Sequence, residues 1–127
     1  MPTWSAAVRY AECDQQGVVF NANYLAYADE AVLRVWQQQG VSYPELIARG
    51  LDTSVVASEL QWSSPARWGD VIDVDGAVAR VGVTSVVVAF SIAVGERLCC
   101  RVRTTYVLTD LKGSPIPVPD DLRSLWS

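Results

Sequence analysis

Apolar and polar positions along this chain change period twice. In residues 5 to 12, Val8 and Tyr10 share one face at period two, which predicts a short strand. From Ala22 to Gln39 the period becomes helical. Asn23, Glu30, Arg34 and Gln37 fall on one narrow polar stripe, and Leu25, Ala28, Ala31, Val32 and Val35 lie elsewhere. A helix apolar over most of its circumference is expected to be wrapped by other elements. Gly40 ends it as a left-handed cap. Ser42 to Glu45 resembles a capping box with Pro44 inside, so a second short helix is predicted up to Gly50.

Past Gly50 the alternation returns and persists. Strands are predicted over 53–62, 71–81 and 85–94, and then from Leu98 to Leu108. In the third of these, Val86, Val88, Phe90, Ile92 and Val94 share one side. In the fourth, Leu98, Cys100, Val102, Thr104, Tyr106 and Leu108 do so, with Arg101 and Arg103 opposite. Short connections such as "VGVT" and "VGER" imply antiparallel hairpins. The tail "PIPVPDDLRSLW" is too rich in proline for a strand and is expected to pack as a final turn. The order is strand, one long helix, then four antiparallel strands. It implies a single α+β domain over residues 1–127, with a curved five-stranded antiparallel sheet wrapped around one long central helix. That is the hot-dog architecture.

Composition narrows the chemistry. A chain of 127 residues has room for one real core but not two. The net charge of −4 argues against nucleic acid as a partner, because a phosphate-backbone binder carries a basic stripe. No run of about 18 apolar residues exists, so no membrane span is expected. The start, "MPTWSAAVRY", lacks the pattern of a secretory signal. Cys13, Cys99 and Cys100 form no disulfide framework, which suits a reducing cytoplasm. Their spacing gives no zinc site, and no metal or separate cofactor is expected.

The sharpest compositional fact is that the chain has no histidine. Ser-His-Asp and Cys-His catalysis are therefore excluded, as is any histidine-based metal site. Lys112 is the only lysine. Acid–base chemistry falls to the carboxylates, Tyr, Cys or bound water. Asp14, in "CDQQGVVFN", stands at the mouth of an apolar run just before the long helix. An aspartate ahead of a glycine is most often ordinary turn chemistry. Glu30 precedes Arg34 by four residues and reads as a surface pair. Asp73, Asp75, Asp120 and Asp121 read as solvated or turn positions. Cys13 adjoins Asp14 but points to the opposite face of a continuing strand, and no histidine is there to activate it.

The stretch "VRYAECDQQGVVFNANYLAYADEA" resembles the 4-hydroxybenzoyl-CoA thioesterase family, particularly its YbgC-like acyl-CoA thioesterase branch. The family pattern is D-x-x-G-[IV]-V-[FYW] followed by a helix beginning near Asn-Tyr. Asp14, Gly17, Val18, Val19, Phe20, Asn23 and Tyr24 match it in register. "PARWGD", "VGVTS" and "IPVPDDLR" extend the likeness over almost the whole chain. The resemblance implies an acyl-CoA thioesterase, with coenzyme A present only as part of the substrate. It puts Asp14 in the role of nucleophile or general base beside the thioester carbonyl. The amides at the helix N-terminus would then stabilise the oxyanion.

Gly17, Val18, Phe20, Asn21 and Tyr24 are implied as substrate neighbours. Glu59 is a candidate on the strand that helps build the family's site. Thr84 and Ser85 match its CoA-side hairpin. Arg101 and Arg103 are candidates for coenzyme A phosphates, although solvated strand positions explain them more simply. Many members of the branch carry His where this chain has Asn21, and here the asparagine is equally a helix cap or a site contact. The resemblance also implies a homodimer or homotetramer with sites between subunits. A hot-dog dehydratase is excluded with the histidine. A hot-dog module that binds acyl thioesters without turnover stays open.

Overall fold

The computed structural model describes residues 1–127. Five strands form one antiparallel sheet: β1 (Trp4–Ala7), β2 (Leu51–Trp62), β3 (Val71–Val81), β4 (Ser85–Val94) and β5 (Arg97–Asp110). Their spatial order is β1-β3-β4-β5-β2, which leaves β1 and β2 as edges. Helix α1 (Asn23–Gln38) packs on one face, followed by the short α2 (Tyr43–Ala48). A third helix, α3 (Asp120–Trp126), ends the chain. The α+β class and the five-stranded sheet agree with the sequence pattern. Bulges between Val55 and Ala57, Val78 and Arg80, and Ile92 and Ala93 bend the strands.

The period-two positions supply the core. Val86, Val88, Phe90 and Ile92 of β4 lie under α1 with Val102, Tyr106 and Leu108 of β5. From the helix, Tyr24, Tyr27, Ala28, Ala31, Val32, Val35 and Trp36 face them at helical spacing. Gly76 of β3 sits where α1 comes closest. A Cβ there would stand 2.7 Å from Val35 Cγ2 and 2.9 Å from Phe90 Cδ1. Gly76→Ala should therefore destabilise the fold by about 1–3 kcal/mol through overpacking, which exceeds the ~0.4–1 kcal/mol gained by stiffening the unfolded chain. Urea denaturation checks the sign, and a more stable variant would show that the helix yields freely.

Several expectations need correction. The first strand ends at Ala7, not residue 12, because Arg9 and Glu12 close a 3₁₀ turn over Tyr10–Glu12. Val8 is buried while Tyr10 is exposed, so the two do not share a core face. Helix α1 is not enclosed within this chain: its far side leaves Leu25 and Leu33 exposed, because five strands cover only one side of it. Glu30 and Arg34 make no ion pair; the three that form are Arg9–Glu12, Arg49–Asp121 and Arg97–Asp70. Asp121 is thus an ion partner, gripped by Arg49 at 2.8 and 3.0 Å. The tail is a helix rather than a turn, with Leu122 and Trp126 buried and Trp126 stacked 5.0 Å from Trp36. Gly40 does cap α1 in a left-handed conformation, φ +100. Ser42 Oγ accepts from the Glu45 amide, as a helix start requires.

Candidate active site

Asp14 sits in a tight turn. Its amide donates to Val18 O at 2.9 Å, its carbonyl accepts from the Gly17 amide at 3.0 Å, and its Oδ1 accepts from the Gln16 amide at 2.8 Å. The turn needs Gly17 for its positive φ of +75 and not for space, since a Cβ there would meet nothing within 4 Å. One carboxylate oxygen of Asp14 holds the turn; Oδ2 has no partner in the chain and is available to a substrate.

Glu12 fastens this turn to the helix. Its carbonyl accepts from the Phe20 amide at 3.0 Å and from Asn23 Nδ2 at 2.7 Å. Burial pushes its carboxyl up, but the Arg9 amide at 2.8 Å and the Arg9 guanidinium at 3.1 Å outweigh this and hold it below the usual range. The Asn23 amide donates to Phe20 O, which leaves the amides of Asn21 and Ala22 with no acceptor in the chain. Unpaired N–H groups at a helix start form an anion site by themselves. Helix α1 takes Ala22 as its N-cap, with no side-chain cap, so Asn21 is not a capping residue. Its carbonyl accepts from Trp62 Nε1 at 3.3 Å, while its side chain is exposed and unpartnered.

The other residues proposed from the sequence divide. Val18 is half-buried beside Asp14's turn, and Phe20 is exposed next to Asn21. Tyr24 is buried, and its hydroxyl accepts from the Ala66 amide at 3.0 Å, so it braces the site without facing it. Glu59 stands across from Arg103 on the sheet face turned away from α1. It lines a hollow of ≈ 490 Å³ there with Arg101, Arg103 and Asp75, a charged surface that holds no residue of the Asp14 turn. Thr84 and Ser85 lie at the far end of β3, where Ser85 O accepts from the Gly82 amide and Thr84 O from the Leu108 amide. In this chain they do not meet Asp14. The Cys13 thiol donates only to the Arg9 carbonyl, and partial desolvation, then Asp14 and Glu12, push it up, away from nucleophilic use.

A second hollow, ≈ 400 Å³, starts at Ala22 beside the free amides and follows α1 through Leu25 and Ala26 to Asp29. Val55, Thr104 and Tyr106 form its other wall. It is smaller than the charged hollow but, unlike that one, begins at the helix start. Sequence reasoning missed it because residues 22–29 read as one more wrapped face. No group of three or more His, Cys, Asp or Glu side chains is placed to hold a metal ion. No helix is long and apolar enough to cross a membrane.

Known proteins resemble the chain at every level. A putative acyl-CoA thioesterase, YneP of Bacillus subtilis, is 32% identical over 63 residues, half of this chain and 46% of that protein. The acyl-CoA thioester hydrolase YbgC of Escherichia coli is 26% identical over 84 residues, 66% of this chain and 63% of that one. The matched stretches thus span about half to under two thirds of those relatives. Among solved structures, a hypothetical protein of Thermus thermophilus superposes with TM-score 0.88 at 27% identity, covering 97% and 95% of the two chains. The gentisyl-coenzyme A thioesterase BH1999 gives 0.86 at 20%, covering 97% and 98%, a likeness of fold. Residues 8–125, nearly the whole domain, match the family model, and the chain belongs to the thioesterase-like superfamily.

Proposed function

We propose that this protein hydrolyses acyl-CoA thioesters to the free acid and coenzyme A. One observation carries the reading: a carboxylate with a free oxygen, Asp14, is fastened through Glu12 to a helix start whose Asn21 and Ala22 amides are unpaired. The thioester carbonyl would take those amides, and its acyl chain the apolar groove toward Asp29. Asp14 then attacks the carbonyl carbon or deprotonates the water that does. The carbonyl oxygen gains the negative charge, the amides hold it, and collapse expels the thiolate. An anhydride formed by direct attack would be released by water. Similarity to the thioesterases YneP, YbgC and BH1999 favours the same chemistry. Three free cysteines, two of them fully buried, suit a reducing cytoplasmic setting.

A homodimer or homotetramer completes the reading. The edge strand β2 is twelve residues long and unpaired on one side, with Val55 and Val56 more than half exposed. Leu25, on the helix wall of the groove, and Val55, on the strand wall, are both exposed at this edge. A second subunit pairing there would cover both.

The amides are tested at Asn21. Asn21→Ala keeps the N–H and removes a side chain that caps nothing, so turnover should fall only a few-fold with stability unchanged within about 0.5 kcal/mol. Asn21→Pro deletes the donor, and loss of one oxyanion donor typically costs about 10²–10³ in turnover. Thiol release from acyl-CoA measures both. Equal, severe losses would assign the role to the side chain.

Binding without turnover remains the second reading, favoured by one observation: the Asp14 oxygen bound to Gln16 is the mark of a plain turn.

A further inference from the structure

Three successive carbonyls lead into α1, and two of them are used by the helix entrance itself. Phe20 O accepts from the Asn23 amide at 2.9 Å, and Ala22 O from the Leu25 amide at 3.1 Å. Asn21 O, between them, has no backbone donor. Its one partner is the indole Nε1–H of Trp62, at 3.3 Å, reaching over from the last residue of β2. Stability does not account for this bond. Trp62 is 52% exposed, so water can serve both groups, and exchanging water for a direct bond adds little to the fold. The backbone that carries the ring is nevertheless firmly placed. Trp62 pairs with Cys100 of β5, and the Ser63 and Ser64 amides both donate to Cys99 O. Beyond the bulge at Val55/Ala57, Trp62 shares the parity of Ser58 and Leu60, which turns its side chain toward α1.

The consequence falls on the next amide. The Asn21 carbonyl and the Ala22 N–H lie on opposite sides of one planar trans peptide. A donor that holds the oxygen therefore sets the direction of the N–H. That N–H has no acceptor in the chain, and Ala22 stands where the apolar groove along α1 begins. The other unpaired amide, that of Asn21, belongs to the peptide whose oxygen the Asn23 amide holds. Both free donors thus sit on peptides fixed at the carbonyl end, one by the helix entrance and one by the sheet. A peptide whose carbonyl already accepts a bond is also a stronger donor, because hydrogen bonds in series polarise one another.

We infer that Trp62 is a positioning residue: its indole N–H fixes the Asn21–Ala22 peptide and aims the Ala22 amide at the thioester carbonyl oxygen. The ligand comes from the thioesterase reading, and the tests separate the two. Replacing Trp62 by β-(3-benzothienyl)alanine keeps the shape of the ring and puts sulfur where the N–H was; Trp62→Phe also removes the donor. Deleting an oxyanion donor outright costs about 10²–10³ in rate, so losing the group that aims one should cost about tenfold in kcat, with KM unchanged. Two coenzyme A analogues need no turnover: a ketone with methylene in place of the thioester sulfur, and the alkyl thioether that lacks the carbonyl. By calorimetry, the benzothienyl variant should bind the ketone about threefold more weakly and the thioether as the parent does. Unchanged kcat and unchanged ketone affinity would overturn the inference. So would equal losses on ketone and thioether, which would make the ring a substrate contact, or dissociation of the oligomer, which would make it a subunit contact. If the parent releases no thiol, the thioesterase reading falls, and a loss confined to the ketone still decides for or against the aimed amide.

Discussion

Asp14→Asn should lose most thioester hydrolysis while the fold and ligand binding stay close to those of the parent. The amide keeps an oxygen for the Gln16 N–H, so the turn that Asp14 closes survives the substitution. Gly17 and Val18 bond to backbone atoms of residue 14, which do not change. What disappears is a carboxylate that can attack or take a proton at neutral pH. General-base help alone is typically worth about 10²–10⁴ in rate, and the loss belongs in kcat and kcat/KM together. No histidine exists to substitute. Steady-state rates for parent and variant, with melting curves for both, settle the size. A variant with near-normal kcat would return Asp14 to the role of an ordinary turn residue.

Breaking the β2 edge should have the next largest effect. Val55 and Val56 are 51% and 59% exposed on a strand whose outer side has no ladder. Long apolar edges are normally paired or guarded by charge, and this one has no lysine. Replacing both valines by lysine removes roughly 2–3 kcal/mol of burial at a subunit contact and adds repulsion across a symmetric interface. Dimer association should therefore weaken by about a hundredfold or more. The ladder to β5 lies on the other side, so the monomer should keep its fold. Sedimentation at micromolar concentration should show the parent as a dimer or larger and the variant as monomer, with turnover falling in step. A monomeric parent would remove the assembly from the account.

Most of the fold was written in periodicity, because burial on one face of a sheet or helix forces it. β3 and β4 run as the alternation predicts, and α1 is displaced by one residue at each end. The failures have particular causes. In β2, Thr53 and Val55 pair toward the helix side, and unbroken alternation would have sent Ala57 and Glu59 there too. The bulge between Val55 and Ala57 shifts the parity, so Ser58 and Leu60 face inward and Glu59 faces out. The proline-rich run before Asp120 hid α3, whose seven residues are too few for a clear period. The enclosed helix failed for another reason: Leu25 and Leu33 are apolar like core residues, and nothing in a pattern tells a surface kept for a partner from a surface within the chain.

The Asp14 turn itself was legible, since D-x-x-G states both the acid and the positive φ. Its connection to the helix was not. That depends on the Glu12 carbonyl receiving Phe20 and Asn23 across the intervening turn, contacts with no signature in the spacing of the residues.

The most direct measurement is thiol release by the unmodified protein across a panel of short, medium and aromatic acyl-CoAs, run beside calorimetric binding of a non-hydrolysable analogue. The account predicts turnover on at least one member of the panel, with analogue binding that competes with it. Tight binding with no thiol released from any member would contradict it and leave a module that holds acyl thioesters without cleaving them.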